Sequence, residues 1–191
     1  MRSHSRDSRA SGEDLLGAEM PISLNPMSVI TSDMRAIIHA AHLCFVATAT
    51  LDGRPNLSPK GTIRVWDDDH LFFLDIASPR TRANLQSNPQ IELNVVEQLS
   101  RRGYRFFGRA ALHRGDDVFV EATRRVFGEE GATYPVAAVV LIEVERAEEL
   151  VSPGYLHIRS EPEMRSTWRV RRAALDAEFE LHVERDPFQP Q

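Results

Sequence analysis

Lysine and cysteine are nearly absent from this sequence. Of its 23 basic side chains, Lys60 is the sole lysine and all the others are arginines. The single cysteine, Cys44, excludes an intrachain disulfide framework and lies in an apolar run, which predicts an inert core thiol in a reducing cytosol. No apolar run approaches the ~18 residues of a membrane span, and the N-terminus lacks the apolar centre of a signal peptide. We therefore expect a cytoplasmic protein with no membrane partner.

Strong charge of either sign is missing as well. The net charge of -5 gives no general attraction to a polyanion, so we expect no nucleic-acid partner. Three consecutive acids at 67–69 stand in a predicted turn, where carboxylates seldom converge on one ion, so we expect no metal site. A chain of 191 residues fits one domain. We place this domain at residues 26–150, after a disordered tail over residues 1–25 that is rich in serine, arginine and acids.

Six segments show the alternation or the short apolar runs of β-strands. The first two lie within residues 43–66 and are joined by Asp52-Gly53, a strong hairpin signal. The other four strands are predicted near residues 70–76, 90–97, 103–113 and 135–145. Helices are predicted from a capping serine at Ser32 and over residues 115–128. Short strand spacing, with helices at the ends and corners, predicts a mainly β, α+β fold built on a six-stranded antiparallel barrel with flanking helices.

The last segment, residues 151–191, is predicted to be a helical extension. Ser160 and Glu163 have the spacing of a capping box, and the apolar residues that follow fall on one narrow stripe. The stripe consists of Met164, Trp168, Leu175 and Phe179. Such a stripe is typical of a helix that packs on the barrel or on a dimer partner. The alternative is that Trp168 reaches a ligand.

The stretch DIASPRTRANLQSNP, residues 75–89, predicts a short helix with an unusual N-terminus. Ser78 is a favourable cap, proline suits the first helical position, and the second proline ends the helix by Asn88. The free N–H groups of the first turn point out of the positive end of the helix dipole. Hydroxyl and guanidinium groups surround them, from Ser78, Arg80, Thr81 and Arg82. Such a cluster is suited to a phosphate, although a capped surface helix with solvated arginines is the alternative.

Lys60 stands between a proline and a glycine at the end of the second predicted strand. If that strand lies near the third, Lys60 and Arg64 share a face and could both reach the phosphate region. Gly61 would let a flat ligand approach the backbone closely. The alternative for Lys60 is a solvated lysine on a sheet edge.

Three stretches resemble a known family in their order and spacing. ATLDGRPNLSPKG, LFFLDIASPRTRANLQSNP and RRGYRFFGRA are similar to parts of the pyridoxamine 5'-phosphate oxidase-like family of FMN-binding split barrels, over residues 32–145. The resemblance implies a split β-barrel homodimer with FMN in clefts at the dimer interface. It also implies that the ribityl chain and ring lie against Ser58, Pro59, Lys60, Gly61 and Thr62. By the same likeness Arg80 and Thr81 hold the phosphate, and Arg64 falls near a further phosphate position.

The C-terminus departs from the vitamin-salvage oxidase of that family. The oxidase carries Arg-Leu-His-Asp-Arg where this chain has YLHIR, residues 155–159, which lacks the first arginine and the aspartate. We therefore expect an FMN-dependent oxidoreductase that transfers a hydride to or from an unidentified small molecule. A non-enzymatic flavin or haem carrier and a deazaflavin-dependent reductase are the alternatives. No acid–base pair stands out, so no catalytic residue is named, and Lys60 is the candidate cation beside the ring.

Overall fold

The computed structural model describes residues 29–183, so the tail predicted over residues 1–25 lies outside the described residues. Seven strands and four α-helices occur in the described part. In chain order they are α1 (Ser32–Ala41), β1 (Cys44–Ala49), β2 (Pro55–Lys60), β3 (Arg64–Val65), β4 (His70–Asp75), α2 (Pro79–Ser87), β5 (Gln90–Glu97), β6 (Arg102–His113), α3 (Asp117–Glu130), β7 (Ala138–Val151) and α4 (Glu161–Val183). A 3₁₀ turn, Pro153–Leu156, precedes α4.

The strands form one antiparallel sheet that curls into a half-barrel. Their order is β2-β1-β5-β6-β7-β4-β3, and every neighbouring pair is antiparallel. The predicted fold class is therefore confirmed, with seven strands instead of six. The difference arises at residues 61–63, which interrupt the second predicted strand and leave β2 and β3 at opposite edges of the sheet. This interruption puts the end of β2 beside the end of β4.

The main core lies between α1 and the concave side of the sheet. Met34, Ile37 and Ile38 of α1 are buried against apolar residues of the strands. The helix begins at Ser32, but the predicted cap is wrong by one position, because the Thr31 hydroxyl accepts the Met34 N–H at 3.3 Å. Cys44 is fully buried, and burial raises the pKa of its thiol to about 12. The thiol is therefore protonated at neutral pH, as expected of an inert core cysteine.

The longest pairing joins β6 to β7 and extends beyond the sequence prediction. We expected the last strand to end at residue 145, whereas β7 continues to Val151. Half of the added residues are charged, and all of them pair with the first half of β6. Two glycines are required by close backbone contacts in this region. A Cβ at Gly103 would lie 2.2 Å from the Val95 carbonyl oxygen, and one at Gly108 would lie 2.1 Å from that of Glu143.

The helix α4 is buried against the barrel near its start, whereas its later apolar residues are exposed. Met164 is fully buried, whereas Leu175 and Phe179 of the predicted stripe are exposed. The Ser160 hydroxyl accepts the Glu163 N–H at 3.4 Å as predicted, but Glu163 accepts the Arg159 N–H and not the Ser160 N–H of a capping box. No helix in the part of the chain described here is long and apolar enough to cross a membrane.

Candidate functional site

A groove opens where β2 and β4 end and α2 begins. One wall is formed by residues 58–62, at the end of β2 and the turn after it. The opposite wall is formed by Leu74 and by residues 76–78, which lead into α2. The groove has a volume of about 330 Å³. A depression of about 290 Å³ along the N-terminus of α2 shares Ser58 and Ser78 with it.

The structure brings most of the predicted cofactor-binding residues to these two hollows. The groove is lined by Ser58, Pro59, Lys60, Gly61, Thr62 and Ser78, and the depression adds Arg80 and Thr81. Arg64 and Arg82 line neither hollow. The topology explains this grouping, because the interruption after β2 turns residues 58–62 toward the segment that starts α2.

The N-terminus of α2 lacks a side-chain cap. Ser78 occupies the N-cap position, but its side chain makes no capping hydrogen bond. Instead the Ser78 hydroxyl donates to the carboxylate of Asp75, which also accepts the Ser78 N–H at 3.0 Å. The predicted capping role of Ser78 is therefore wrong, because a buried carboxylate competes successfully for the hydroxyl. The N–H groups of Arg80 and Thr81, which have no partner inside the helix, remain directed outward.

The polar side chains around this helix end have different roles. Arg82 is paired with Asp75 at 2.5 Å, so its charge is neutralised within the protein. Thr81 is buried, and its hydroxyl accepts a hydrogen bond from the Asn56 amide at 3.1 Å. Arg80 is exposed and has no ion pair with any residue of the described range 29–183. The charge available to an anion at this end of the groove is therefore that of Arg80, together with the helix N–H groups.

Lys60 is turned inward and is not a solvated edge lysine. It is 7% exposed, and its Nζ donates to the Ser58 hydroxyl at 2.5 Å and to the Pro59 carbonyl at 3.2 Å. Burial lowers the pKa of Lys60, and the negative charge of Asp75 opposes that shift. The groove therefore has a partly desolvated ammonium in its wall.

Thr62 joins the two walls of the groove through its side chain, whereas Gly61 contributes only backbone. The Thr62 hydroxyl accepts the Leu74 N–H at 2.9 Å and donates to the Leu74 carbonyl at 3.3 Å, so it joins the two walls. A Cβ at Gly61 would meet nothing closer than the His42 carbonyl oxygen at 3.8 Å, an ordinary contact. No described part of the protein requires a glycine at this position, in contrast to Gly103. The backbone of Gly61 is open to the groove.

Arg64 lies away from the groove, contrary to the sequence analysis. Its Nε contacts Glu129 at 2.6 Å and its Nη2 contacts Glu130 at 3.0 Å, both at the C-terminal end of α3. The guanidinium is largely buried, and burial of a charge requires paired acids. The prediction rested on a face shared with Lys60 and on the family resemblance. The shared face is lost because residues 61–63 separate β3 from β2.

Two residues of the site were missed. Asp75 is 1% exposed and holds both Ser78 and Arg82, and Asn56 holds Thr81. A single acid at the end of the apolar run LFFLD was a usable signal for Asp75. For Asn56 the signal was its position two residues before Ser58 and four before Lys60 on β2, because alternate residues of a strand share one face.

The curled antiparallel half-barrel, with helices at its ends and corners, is a split-barrel fold. The family described as pyridoxamine 5'-phosphate oxidase matches residues 30–151, which is more than half of the chain. The protein therefore belongs to the pyridoxamine 5'-phosphate oxidase-like family, as the sequence resemblance predicted. A comparison with curated proteins found no match.

Solved structures similar to this chain include an FMN-binding protein and a heme storage protein. HupZ of Group A Streptococcus is 32% identical, with 64% of this chain and 95% of HupZ covered and a TM-score of 0.58. An FMN-binding protein from Syntrophomonas wolfei is 15% identical, with 62% and 84% covered and a TM-score of 0.53. HutZ, the heme storage protein from Vibrio cholerae, is 17% identical, with 64% and 94% covered and a TM-score of 0.52. The latter two likenesses show the fold alone.

Proposed function

We propose that the groove binds FMN and that the protein is an FMN-dependent oxidoreductase acting on a small molecule. The observation that carries this proposal is the uncapped N-terminus of α2 beside Arg80, which has no ion pair within residues 29–183. Both lie at one end of a groove that also exposes the Gly61 backbone. A phosphate and a flat ring are the two parts of FMN that these features suit.

The phosphate would occupy the depression at the start of α2. The N–H groups of Arg80 and Thr81 would donate to its oxygens, and the helix dipole favours a negative charge there. The Arg80 guanidinium would add a charge-assisted hydrogen bond. Arg82 would act indirectly, because its pairing with Asp75 helps to hold the helix start in place.

The ring and ribityl chain would lie along residues 58–62. A glycine that no described protein contact requires is explained if a flat ligand approaches the backbone at Gly61. Bound FMN would supply hydride transfer at N5 of its ring. The ammonium of Lys60 would stabilise negative charge on the reduced ring and so raise its reduction potential.

A second copy of the chain would complete the site. Phe45, Leu57 and Val96 lie on the same outward face of three adjacent strands and are 47%, 67% and 39% exposed. A contiguous apolar area of this kind marks an interaction surface, and most soluble homo-oligomers are two-fold dimers. The groove volume of about 330 Å³ is near the lower end of the range for small-molecule sites, which fits a site shared between subunits.

The visible absorption spectrum of the purified protein tests the cofactor. FMN gives the two visible bands of a flavin, whereas a single intense Soret band would mean haem and would overturn the proposal. FMN and riboflavin share the same ring and therefore the same bands, so extraction of the cofactor and chromatography would distinguish FMN from riboflavin and from a deazaflavin. Bleaching of the flavin bands by reduced nicotinamide, followed by reoxidation with an acceptor, would separate an enzyme from a carrier.

A further inference from the structure

A second cavity lies between the β5–β6 turn and α4, and it shares no residue with the groove. Its volume is about 170 Å³. The lining residues come from the turn and from one side of the helix: Gln98, Leu99, Arg101, Trp168, Arg172 and Leu175. Apolar and cationic side chains therefore meet in one small space. One of the two tryptophans of the chain stands in its wall.

Arg101 has a backbone conformation that favours glycine. Its φ is 57°, and His42, a helix C-cap, is the other non-glycine residue with positive φ in the range 29–183. The backbone is held in place, because the Arg101 N–H donates to the Glu97 carbonyl at 2.9 Å and its carbonyl accepts the Ser152 N–H at 3.1 Å. An arginine at a left-handed position is strained relative to glycine. Such strain is common where the side chain serves a site.

Two arginines contact the same indole ring. The Cζ of Arg101 lies 4.2 Å from the centroid of Trp168, and the Cζ of Arg171 lies 5.0 Å from it. Neither guanidinium is paired with an acid within the part of the chain that the structure describes. Arg172, by contrast, contacts Asp176 at 2.8 Å. The two unpaired cations repel each other, and an anion bound beside Trp168 would offset this repulsion.

The turn and the helix are joined firmly enough to hold a fixed site. Glu97 accepts the N–H groups of Leu99 and Ser100 at 3.0 and 2.7 Å, and it also pairs with Arg165 of α4 at 2.9 Å. The hydroxyl of Tyr155 donates to the Ser100 carbonyl at 2.7 Å. The cavity wall therefore does not have to be ordered by a ligand, which favours binding of small molecules.

We propose that this cavity binds a small organic anion with an apolar or aromatic body. The carboxylate would meet the Arg101 guanidinium, and the body would lie against Leu99, Trp168 and Leu175. The size agrees with this class, since 170 Å³ is about six times the ~30 Å³ that one water occupies in the liquid. A nucleotide or a flavin would not fit.

The test uses the full chain carrying Trp66→Phe, so that Trp168 is the only tryptophan and reports on the cavity by its fluorescence. Benzoate is the probe, and benzamide is its neutral analogue of the same shape, both at constant ionic strength. We expect a saturable change with benzoate and none with benzamide. Arg101→Gly in the same background should weaken benzoate binding at least about tenfold, since a hydrogen bond to a charged group exceeds one factor of ten in affinity.

Arg101→Gly also separates a binding role from a structural one. Glycine adopts a φ of 57° without strain, so this variant should keep or raise the melting temperature. Arg101→Asn, which also tolerates this conformation, is a second variant with the same expectation. Arg169→Gln is the matched control, because Arg169 is exposed on the same helix and does not line the cavity.

Three results would overturn the proposal. They are the absence of saturable benzoate binding, an equal response to benzamide, and unchanged affinity in both Arg101 variants. If the Trp66→Phe protein does not bind benzoate and Arg101→Gly lowers its melting temperature, the stacking of Arg101 on Trp168 has a purely structural role.

Discussion

Replacement of Arg80 by alanine tests the phosphate assignment most directly. The side chain is exposed and makes no ion pair within residues 29–183, so its removal should leave the barrel intact. FMN should bind more weakly to Arg80→Ala, because the N–H groups of α2 remain but the charge-assisted hydrogen bond is lost. Riboflavin has no phosphate, and its affinity should change by no more than about twofold.

The expected magnitude follows from the exposure of the side chain. A hydrogen bond to a charged group contributes about 1.5–3 kcal/mol, which corresponds to roughly 10- to 150-fold in Kd. Because solvent screens an exposed guanidinium, we expect the lower end of this range, about tenfold. A larger loss of FMN affinity would mean that a second subunit shields the site from solvent, as expected of a site shared within a dimer.

The assay is a titration of the apoprotein with FMN and, separately, with riboflavin, followed by flavin fluorescence. Arg109→Ala is the matched control, since Arg109 is also exposed but lies on β6 away from both hollows. A loss of similar size for FMN and riboflavin in Arg80→Ala would refute the phosphate assignment. So would a similar loss in Arg109→Ala, which would indicate a general charge effect.

Four further predictions address the ring, the potential, the assembly and the fold. Gly61→Ala should leave the melting temperature unchanged or higher and weaken both FMN and riboflavin, as binding titrations with a thermal melt would show. Lys60→Met should keep oxidised FMN within about tenfold of its normal affinity but lower the reduction potential, measured by dye equilibration, and an unchanged potential would leave Lys60 without a role at the ring. Leu57→Asp should convert a dimer into a monomer in light scattering, whereas a wild-type monomer at micromolar concentration would argue against a shared site. Asp33 bonds to Tyr104 and Arg102, which lowers its pKa, so its stabilising effect is present at neutral pH and is lost as the pH falls through that lowered pKa. Asp33→Asn should therefore lower the melting temperature at neutral pH and have little effect in acid.

The fold was predictable because its signals are local. Alternation marks β5 and β6, a hairpin dipeptide marks the β1–β2 turn, and a proline marks the start of α2. The strand count was not predictable, since residues 61–63 interrupt the strand without a hairpin dipeptide like the one at Asp52-Gly53. The end of β7 was also missed, because its polar residues adopt a strand conformation only by pairing with β6.

The direction of individual side chains at the site was less predictable. Arg64 pairs with Glu129 and Glu130, which follow it by 65 and 66 residues, so no local pattern could identify these partners. The Ser78 hydroxyl had two acceptable uses, as a helix cap or as a donor to Asp75. Local preference favoured the cap, and the burial of Asp75 decided the outcome.

Asp75 therefore connects the two ends of the groove. A buried carboxylate without hydrogen-bond donors would be strongly destabilising, and this one is supplied by Ser78 and Arg82. By taking the Ser78 hydroxyl it leaves α2 without a cap, which ordinarily contributes about 1 kcal/mol to stability. Its negative charge also opposes the effect of burial on the pKa of Lys60, which favours the charged ammonium. Asp75 thus leaves the N-terminus of α2 open to an anion. It also favours the charged form of Lys60, which we place beside the flavin ring.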